Sequence, residues 1–375
     1  MRLGIFGMPL HPAARPRTDI YWEDIDRITY ADELGFEEAF IGEHMTCPTE
    51  PIAAPLMILA TLIERTKNIK LGTGVLALPN HHPMIVAAEV AQFDHLSKGR
   101  LLFGVGPGGL ASDMELFDVL DPQTRGEKLQ ESIDIILELW RSEPPFHIKT
   151  KHFDFGVKET VLDSLSVGHL PRPYQQPHPP IFSTAMSPYS GSIKAAVEKG
   201  WNPMSANFCP PAVVASHWKK YVEGCEAIGK EPTGDEWRVA RNIVVAPTDE
   251  EAHDRVMNPQ GGNYFYFDYL WQVLQMSGAS AVMKEDQSVP DEDITVEGLV
   301  DSMVIYGSPD TVTQKLEALR EQSGPFGTLL MAMMDGSGPN EDYERESMRL
   351  LAEKVAPNFA KQGAEIGRAS CRERV

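Results

Sequence analysis

The sequence has few cysteines and lacks a long apolar segment. The four cysteines form no C-x-x-C pair and show no disulfide-like spacing; they are Cys47, Cys209, Cys225 and Cys371. Free thiols in a reducing compartment are the natural interpretation. No apolar run approaches the roughly 20 residues of a membrane span, and the N-terminus lacks the basic, apolar and cleavage segments of a secretory signal. We therefore expect a soluble, cytoplasmic protein.

Positive charge is also scarce. The chain has 34 Lys and Arg residues against 54 Asp and Glu residues, a formal net charge of −20. Such a charge repels phosphate backbones and anionic headgroups, which argues against nucleic-acid and membrane partners. The 42% hydrophobic content is ample for a large core. The length of 375 residues allows two ordinary domains or one α/β barrel.

Strand and helix patterns alternate along most of the chain, which favours a parallel α/β architecture. Residues 142–178 interrupt this alternation with five prolines, and residues 250–298 are helical only in patches. The number of strands fits a (β/α)₈ TIM barrel with insertions better than a six-stranded open sheet. The eight predicted strands are Leu3–Phe6, Glu37–Ile41, Ile69–Leu78, Leu101–Val105, Pro180–Thr184, Pro203–Ala206, Trp237–Ala246 and Thr328–Met334.

The last thirteen residues, 363–375, break the pattern. They are rich in arginine and have no apolar period. We expect this tail to be foreign or disordered and exclude it from the fold. The barrel is therefore predicted to be one domain over residues 1–362.

Glycines gather where two predicted strands end. Gly72 and Gly74 close one strand, and the segment 104–109 after another reads GVGPGG. Crowded glycines indicate a close approach to the backbone, and ligands of parallel α/β folds bind at the carboxyl ends of strands. The segment 104–109 matches a dinucleotide fingerprint poorly, because it follows the fourth strand and contains a proline.

His44 directly follows the second predicted strand, so it should lie at the mouth of a barrel. There it could donate a proton near neutral pH, or it could be an ordinary loop histidine satisfied by its neighbours. The pair His81-His82 precedes Pro83 and is more typical of a turn than of a metal site. No H-x-H or H-E-x-x-H motif is present, so no metal is predicted.

Serines surround the start of the helix that follows the fifth strand, in the segment 187–192, SPYSGS. Hydroxyls and free N–H groups at a helix N-terminus can bind an anion. The same residues could simply cap the helix. Both interpretations remain open at this point.

Taken in order, GEH at 42–44, the segment 69–109 and AMSPYSGS at 185–192 resemble the bacterial luciferase-like flavin-dependent monooxygenases. The resemblance covers roughly residues 1–355 and is strongest toward the limonene monooxygenase-like branch. It implies a catalytic role for His44 in stabilising or protonating a flavin peroxide. It also implies contacts to the flavin from Glu43, Gly74, Val75, Gly106, Arg125, Met186, Ser187, Ser190, Gly191 and Ser192.

Some details of these motifs carry further implications. Gly74-Val75 occupies the place where the family commonly has a non-prolyl cis peptide beneath the flavin ring. The serine loop and Arg125 would hold the flavin phosphate. Two positions depart from the family pattern: Met45 stands in place of a second histidine, and Pro107 stands where many members have a phosphate-binding arginine.

The resemblance implies a monooxygenase that uses reduced FMN (or FAD) from a separate NAD(P)H:flavin reductase. The flavin would react with O₂ and oxygenate a small apolar organic substrate through a peroxyflavin. A homodimer or homotetramer is expected. Alternatives are an F420-dependent hydride-transfer oxidoreductase of the same superfamily, a metal-dependent barrel hydrolase and a non-catalytic partner subunit. The sequence does not name the substrate.

Overall fold

Eight parallel strands form a closed barrel in the computed structural model, which describes residues 1–359. Each strand pairs with the next one around the ring, and the last pairs with the first. The predicted (β/α)₈ barrel is therefore confirmed, while the tail 363–375 lies outside the described residues. In ring order the strands are β1 (Arg2–Gly7), β2 (Glu38–Ile41), β3 (Lys70–Thr73), β5 (Leu101–Gly106), β8 (Ile181–Ala185), β9 (Asn202–Ser205), β10 (Arg238–Val245) and β12 (Thr328–Ala332).

Helices surround the barrel. Local sequence explains where some begin: the Ser308 hydroxyl accepts a hydrogen bond from the N–H of Thr311, and Pro309 fills the first helical position. No helix within residues 1–359 is long and apolar enough to cross a membrane. The helices are α1 (Arg17–Glu33), α2 (Pro55–Leu62), α3 (Pro83–Leu96), α4 (Ala111–Leu116), α5 (Pro122–Leu139), α6 (Gly191–Glu198), α7 (Pro211–Ala227), α8 (Asp249–Met257), α9 (Gly262–Met276), α10 (Val296–Met303), α11 (Pro309–Ser323) and α12 (Asn340–Leu350).

Three short strand regions differ from the sequence-based expectation. The strand expected over 69–78 is interrupted, because β3 ends at Thr73 and a short β4 (Leu76–Ala77) follows the cis peptide between Gly74 and Val75. The insertion 142–178 contains an antiparallel hairpin of β6 (Phe146–Lys149) and β7 (Asp154–Val157). A further strand, β11 (Val304–Gly307), pairs with β10. Strands of two to four residues are too short for a period to stand out.

The barrel interior has its own core. It consists of Phe6, Phe40, Leu102, Phe182, Met204, Ala240 and Leu330. The rings of Phe40 and Phe182 meet edge to face with centroids 5.0 Å apart. At the amino ends of the strands, Arg238 pairs with Glu38 through Nη2–Oε1 and Nε–Oε2 distances of 2.6 and 3.0 Å. The interior is thus filled by side chains, and a ligand can approach from the carboxyl ends.

Candidate active site

The floor of the barrel mouth is formed by backbone. A Cβ added at Gly74 would lie 2.8 Å from Cβ of Phe40, and one added at Gly106 would lie 2.6 Å from Cγ2 of Val75. A Cβ at Gly42 would meet Sδ of Met8 at 2.5 Å. These distances are too short for real side chains, so the inner core requires glycine at these strand ends. The structure brings the predicted residues Gly74, Val75 and Gly106 together in this flat surface.

His44 lies at the edge of this floor with a carboxylate on each ring nitrogen. Its Nδ1 is 3.0 Å from Oδ2 of Asp113, and its Nε2 is 2.9 Å from Oε2 of Glu50. Burial lowers the pKa of His44, but the hydrogen bonds and charges of Asp113 and Glu50 outweigh it and raise the pKa to about 10. His44 is therefore an imidazolium at neutral pH.

Asp113 fixes the loop that carries His44. Besides the imidazole, it accepts hydrogen bonds from the N–H groups of Met45 and Thr46 at 3.2 and 2.9 Å and from the Thr46 hydroxyl at 2.6 Å. Burial raises the pKa of Asp113, yet these bonds, led by that of His44, lower it to about 2. Its negative charge therefore persists over the working pH range.

Glu43 points to the other side of the loop. Its Oε1 accepts a hydrogen bond from the N–H of Ala77 at 2.9 Å and lies at the same distance, 2.9 Å, from Nε2 of His81. Glu43 thus ties the loop after β2 to the segment that follows the cis peptide. His82 does not join this group, because its Nδ1 accepts from the N–H of Met84 at the start of α3.

The serine loop between β8 and α6 has an open helix end. The hydroxyls of Ser190 and Ser192 lie 2.9 Å apart, and no side chain caps the first turn of α6. Met186 and Ser187 are exposed, and Gly191 has open space where a Cβ would lie. The first N–H groups of α6 therefore point to a position that an anion can reach.

Buried side chains behind the serine loop hold it in place. Nε2 of His217 donates to the carbonyl of Ser187 at 2.9 Å, while Nδ1 accepts from the Ser205 hydroxyl at 2.8 Å. The indole N–H of Trp237 donates to the same hydroxyl at 3.0 Å. Burial lowers the pKa of His217, so this chain of bonds is uncharged at neutral pH.

Two cations are candidate partners for the predicted phosphate position, and only one of them contacts the serine loop. Arg125 donates from Nη1 to the carbonyls of Val119 and Leu120, both at 3.0 Å, and so braces the loop before α5. Its contact with flavin stays a prediction. Lys219 is exposed on α7, and its Nζ lies 5.7 Å from the ring centroid of Tyr189 in the serine loop.

Helix α9 crosses the barrel mouth. Oη of Tyr269 lies 2.8 Å from Sγ of Cys47 in the loop after β2, and Oη of Tyr266 accepts from Nδ2 of Asn207 at 2.8 Å in the loop after β9. Strands β2 and β9 are second and sixth in the ring and therefore opposite one another. The aromatic segment 264–271 of this helix thus supplies a cover, and two of its three phenols, those of Tyr266 and Tyr269, reach opposite rims.

The cleft beside His44 is narrow. It measures about 10 Å³ and is bounded by Met8, Pro9, Gly42, Glu43, Glu50, Pro51 and Ile52. That volume is about the space that one water molecule needs, whereas small-molecule sites enclose roughly 300 Å³ or more. The cleft beside His44 is therefore too small for a ring-sized ligand. A cavity of about 40 Å³ beside Asn263 and Tyr343 includes neither His44 nor Glu50.

A second cluster of charged groups lies between α1 and the end of β12. Nδ1 of His11 is 2.8 Å from Oδ1 of Asp335, and Nε2 is 3.3 Å from Oδ2 of Asp24. His11, Glu23 and Asp335 are close enough to hold a metal ion. However, the Arg15 guanidinium already bridges the two carboxylates, with N–O distances of 2.7 Å to Glu23 and 2.5 Å to Asp335. The cluster is consistent with a structural ion network.

The order of the motifs along the barrel and the geometry of its mouth agree with a comparison to known families. The family model described as luciferase-like monooxygenase matches residues 1–325. The chain belongs to this family. The resemblance inferred from 42–44, 69–109 and 185–192 is therefore confirmed, and the matched residues include seven of the eight barrel strands.

Individual relatives agree with this assignment. The 4-hydroxyprotoasukamycin monooxygenase of Streptomyces nodosus subsp. asukaensis is 30% identical, over 95% of this chain and 91% of its own. Limonene 1,2-monooxygenase of Rhodococcus erythropolis is 29% identical over an alignment that covers 95% of this chain and 86% of that protein. One solved structure is the oxygenating constituent of 3,6-diketocamphane monooxygenase from Pseudomonas putida in complex with FMN. It is 28% identical, with a TM-score of 0.84, and the match covers 95% of this chain and 98% of that chain.

Sequence patterns missed several residues of the site. Asp113 and Glu50 contact His44 from α4 and from a loop, and Asn207 and Tyr266 meet across 59 positions of sequence. His217 supports the serine loop from the interior of α7. The available signals were weak: His217 is a polar residue within an apolar period, and Tyr266 is one of several aromatic residues in 264–271.

Proposed function

We propose that the protein is the oxygenase of a two-component monooxygenase. It takes reduced FMN from a separate NAD(P)H:flavin reductase and transfers one atom of O₂ to an apolar organic substrate, while the other atom leaves as water. The observation that carries this proposal is the position of His44, held between Asp113 and Glu50 at the edge of a glycine floor. The relative solved with FMN, named an oxygenating constituent, supports the choice of cofactor and the separate reductase.

The residues of the mouth fit a flavin. Gly74 and Gly106 contribute no side chains of their own to the floor, where Cγ2 of Val75 lies against Gly106, and this suits the close approach of a ring. The open N-terminus of α6, with Ser190 and Ser192, suits a phosphate, and Lys219 can supply the positive charge that Pro107 lacks. Reduced flavin, when bound, supplies two electrons and the position at which O₂ reacts.

His44 would hold a proton beside that position. Its Nε2 carries the proton toward Glu50, on the side of the narrow cleft. If Nε2 exchanges its contact with Glu50 for an oxygen atom of the reaction, the donor would stabilise negative charge on that oxygen and guard against early loss of hydrogen peroxide. Helix α9 and the loop after β2 would exclude water once substrate is bound.

Anaerobic titration followed by oxygen tests the proposal. The protein is titrated with reduced FMN, reduced FAD and reduced F420, and oxygen uptake is then recorded for each complex. We expect binding of reduced FMN and oxygen uptake by the complex. Binding of F420 without oxygen uptake would favour hydride transfer instead, and failure to bind any reduced flavin would refute the proposal.

A further inference from the structure

Arg241 is a buried cation without a counter-ion. It lies on β10 and is only 2% exposed. The other two buried arginines of residues 1–359 have acidic partners. Nη2 of Arg27 lies 3.0 Å from Oε1 of Glu23. Nη2 of Arg238 lies 2.6 Å from Oε1 of Glu38. No carboxylate pairs with Arg241 in this part of the chain, and none contributes to its pKa.

Hydrogen bonds satisfy only part of the Arg241 guanidinium. Nη1 donates to the carbonyls of Asn207 and Cys209, at 3.2 and 2.9 Å, in the loop after β9. Nη2 is buried and has no hydrogen-bond partner within residues 1–359. Burial lowers the pKa of Arg241 to about 10 and raises the pKa of the Cys209 thiol to about 12, so the guanidinium is charged at neutral pH and the thiol is not. A buried charge without an opposite charge is costly, and an anion bound nearby would offset that cost.

Arg241 lies behind the serine loop, separated from it by single residues. Cys209, which accepts a hydrogen bond from Arg241, donates from Sγ to the carbonyl of Met186 at 3.2 Å. His217 donates to the carbonyl of Ser187, and its pKa is lowered by burial and further by the charge of Arg241. The charge therefore acts on both side chains that hold positions 186 and 187, next to the open N-terminus of α6.

We propose that Arg241 is the buried counter-charge for the phosphate of reduced FMN at the open end of α6, and that it makes the protein prefer FMN to riboflavin. Arg241 acts through its electrostatic field from behind the loop, so it is a positioning residue. The inference rests on the proposed function, because it assumes that reduced flavin binds at the mouth. Salt distinguishes Arg241 from Lys219: Lys219 is exposed and its charge is screened, whereas a buried charge is screened much less.

Two neutral variants test the charge of Arg241. Arg241→Gln keeps an N–H donor for the carbonyls of the loop, and Arg241→Met keeps only the apolar bulk. The affinities of reduced FMN and reduced riboflavin are measured anaerobically in about 0.5 M NaCl, which screens exposed charges. We expect both variants to bind FMN about tenfold more weakly than the wild type and riboflavin equally well, the scale of one charge acting through a partly buried site.

Lys220→Gln is the matched control. It removes the same charge from α7, where Glu223 already pairs with Lys220 at 2.8 Å. We expect its preference for FMN over riboflavin to equal that of the wild type. A loss as large as that of Arg241→Gln would show that any nearby positive charge has the same effect, and would overturn the special role of Arg241.

Anaerobic ³¹P NMR of bound reduced FMN reports the electrostatic effect directly. A nearby cation favours the doubly charged phosphate, so the phosphate should titrate about one pH unit higher in Arg241→Gln than in the wild type, which is the same tenfold effect.

Three results would overturn the inference: an unchanged phosphate titration, equal losses of FMN and riboflavin affinity, or a loss in Arg241→Met that Arg241→Gln does not share. The last two would assign Arg241 to support of the loop through its hydrogen bonds. Failure of the wild type to bind reduced FMN would instead refute the proposed function itself.

Discussion

Oε2 of Glu50 lies 2.9 Å from Nε2 of His44, on the opposite side of the imidazole from Asp113, whose Oδ2 lies 3.0 Å from Nδ1. Both ring N–H groups are therefore committed to carboxylates. The pair of contacts raises the pKa of His44 to about 10 against the effect of burial. The raised pKa stabilises the fold fully below about pH 6.5, the unfolded value, and this contribution is lost as the pH rises toward 10.

Glu50→Gln should shift the alkaline limit of coupled oxygenation. Removing one carboxylate lowers the pKa of His44, so its proton is lost at a lower pH than in the wild type. Product yield per flavin oxidised, measured from pH 6 to 10, should fall earlier in the variant. Glu64→Gln, a change of an exposed residue just after the end of α2, is the control. An unchanged alkaline limit would show that Glu50 does not set the charge of His44.

His44→Ala should separate flavin oxidation from product formation. We expect reduced FMN to bind nearly as in the wild type, while product yield falls ~10²-fold or more, the scale of acid–base assistance. The missing product should appear as hydrogen peroxide, quantified by a peroxidase assay. Since Asp113 and Glu50 lose their partner, thermal stability is recorded alongside. Wild-type coupling in this variant would remove His44 from the mechanism.

Ser190→Ala combined with Ser192→Ala tests the serine loop. Loss of both hydroxyls should weaken reduced FMN by ~1–3 kcal/mol, the range for hydrogen bonds to charged groups. Lys219→Ala should weaken FMN but not riboflavin, which has no phosphate. Anaerobic titration gives both affinities. Equal FMN affinity in the serine variant and the wild type would place the phosphate elsewhere.

Arg27→Leu should destabilise the fold. Arg27 is 1% exposed, donates to the Met334 carbonyl at 2.5 Å and lies 3.0 Å from both Glu23 and Glu344. Its removal leaves the buried Glu344 without a cation and Glu23 with Arg15 alone, and we expect a loss of about 3–5 kcal/mol in urea unfolding.

The same variant has a predicted pH dependence. Burial raises the pKa of Glu344 to about 7 even with Arg27 present. The destabilisation should therefore grow as the pH rises through this region, where Glu344 ionises. Arg17→Leu, an exposed change on the same helix, should alter the free energy of unfolding by less than ~0.5 kcal/mol. Similar losses in both variants would show that the buried network contributes little.

The barrel could be predicted from the sequence because the patterns that mark its eight strands and the helices between them depend on residues close together in the chain. The predicted strand around 237–246 and the helix start at Ser308 depend on neighbours only a few positions away. His44 and the glycines at 72–106 were found for the same reason. The partners of His44 could not be found in this way, since Asp113 is 69 positions away and nothing in its surroundings marks it. Tyr266 could not be singled out either, because its contact with Asn207 lies 59 positions away in the sequence.

The filled interior of the barrel has a consequence for the order of events. Phe6, Phe40 and Phe182 block the centre, and the Arg238–Glu38 pair closes the amino end. Everything that reaches the floor must therefore arrive and depart through the one end that α9 spans. When two molecules use the same entrance to a site, the one that binds deeper must bind first and dissociate last. The protein should accordingly follow compulsory-order kinetics, with reduced flavin the leading reactant and oxidised flavin the final one to leave.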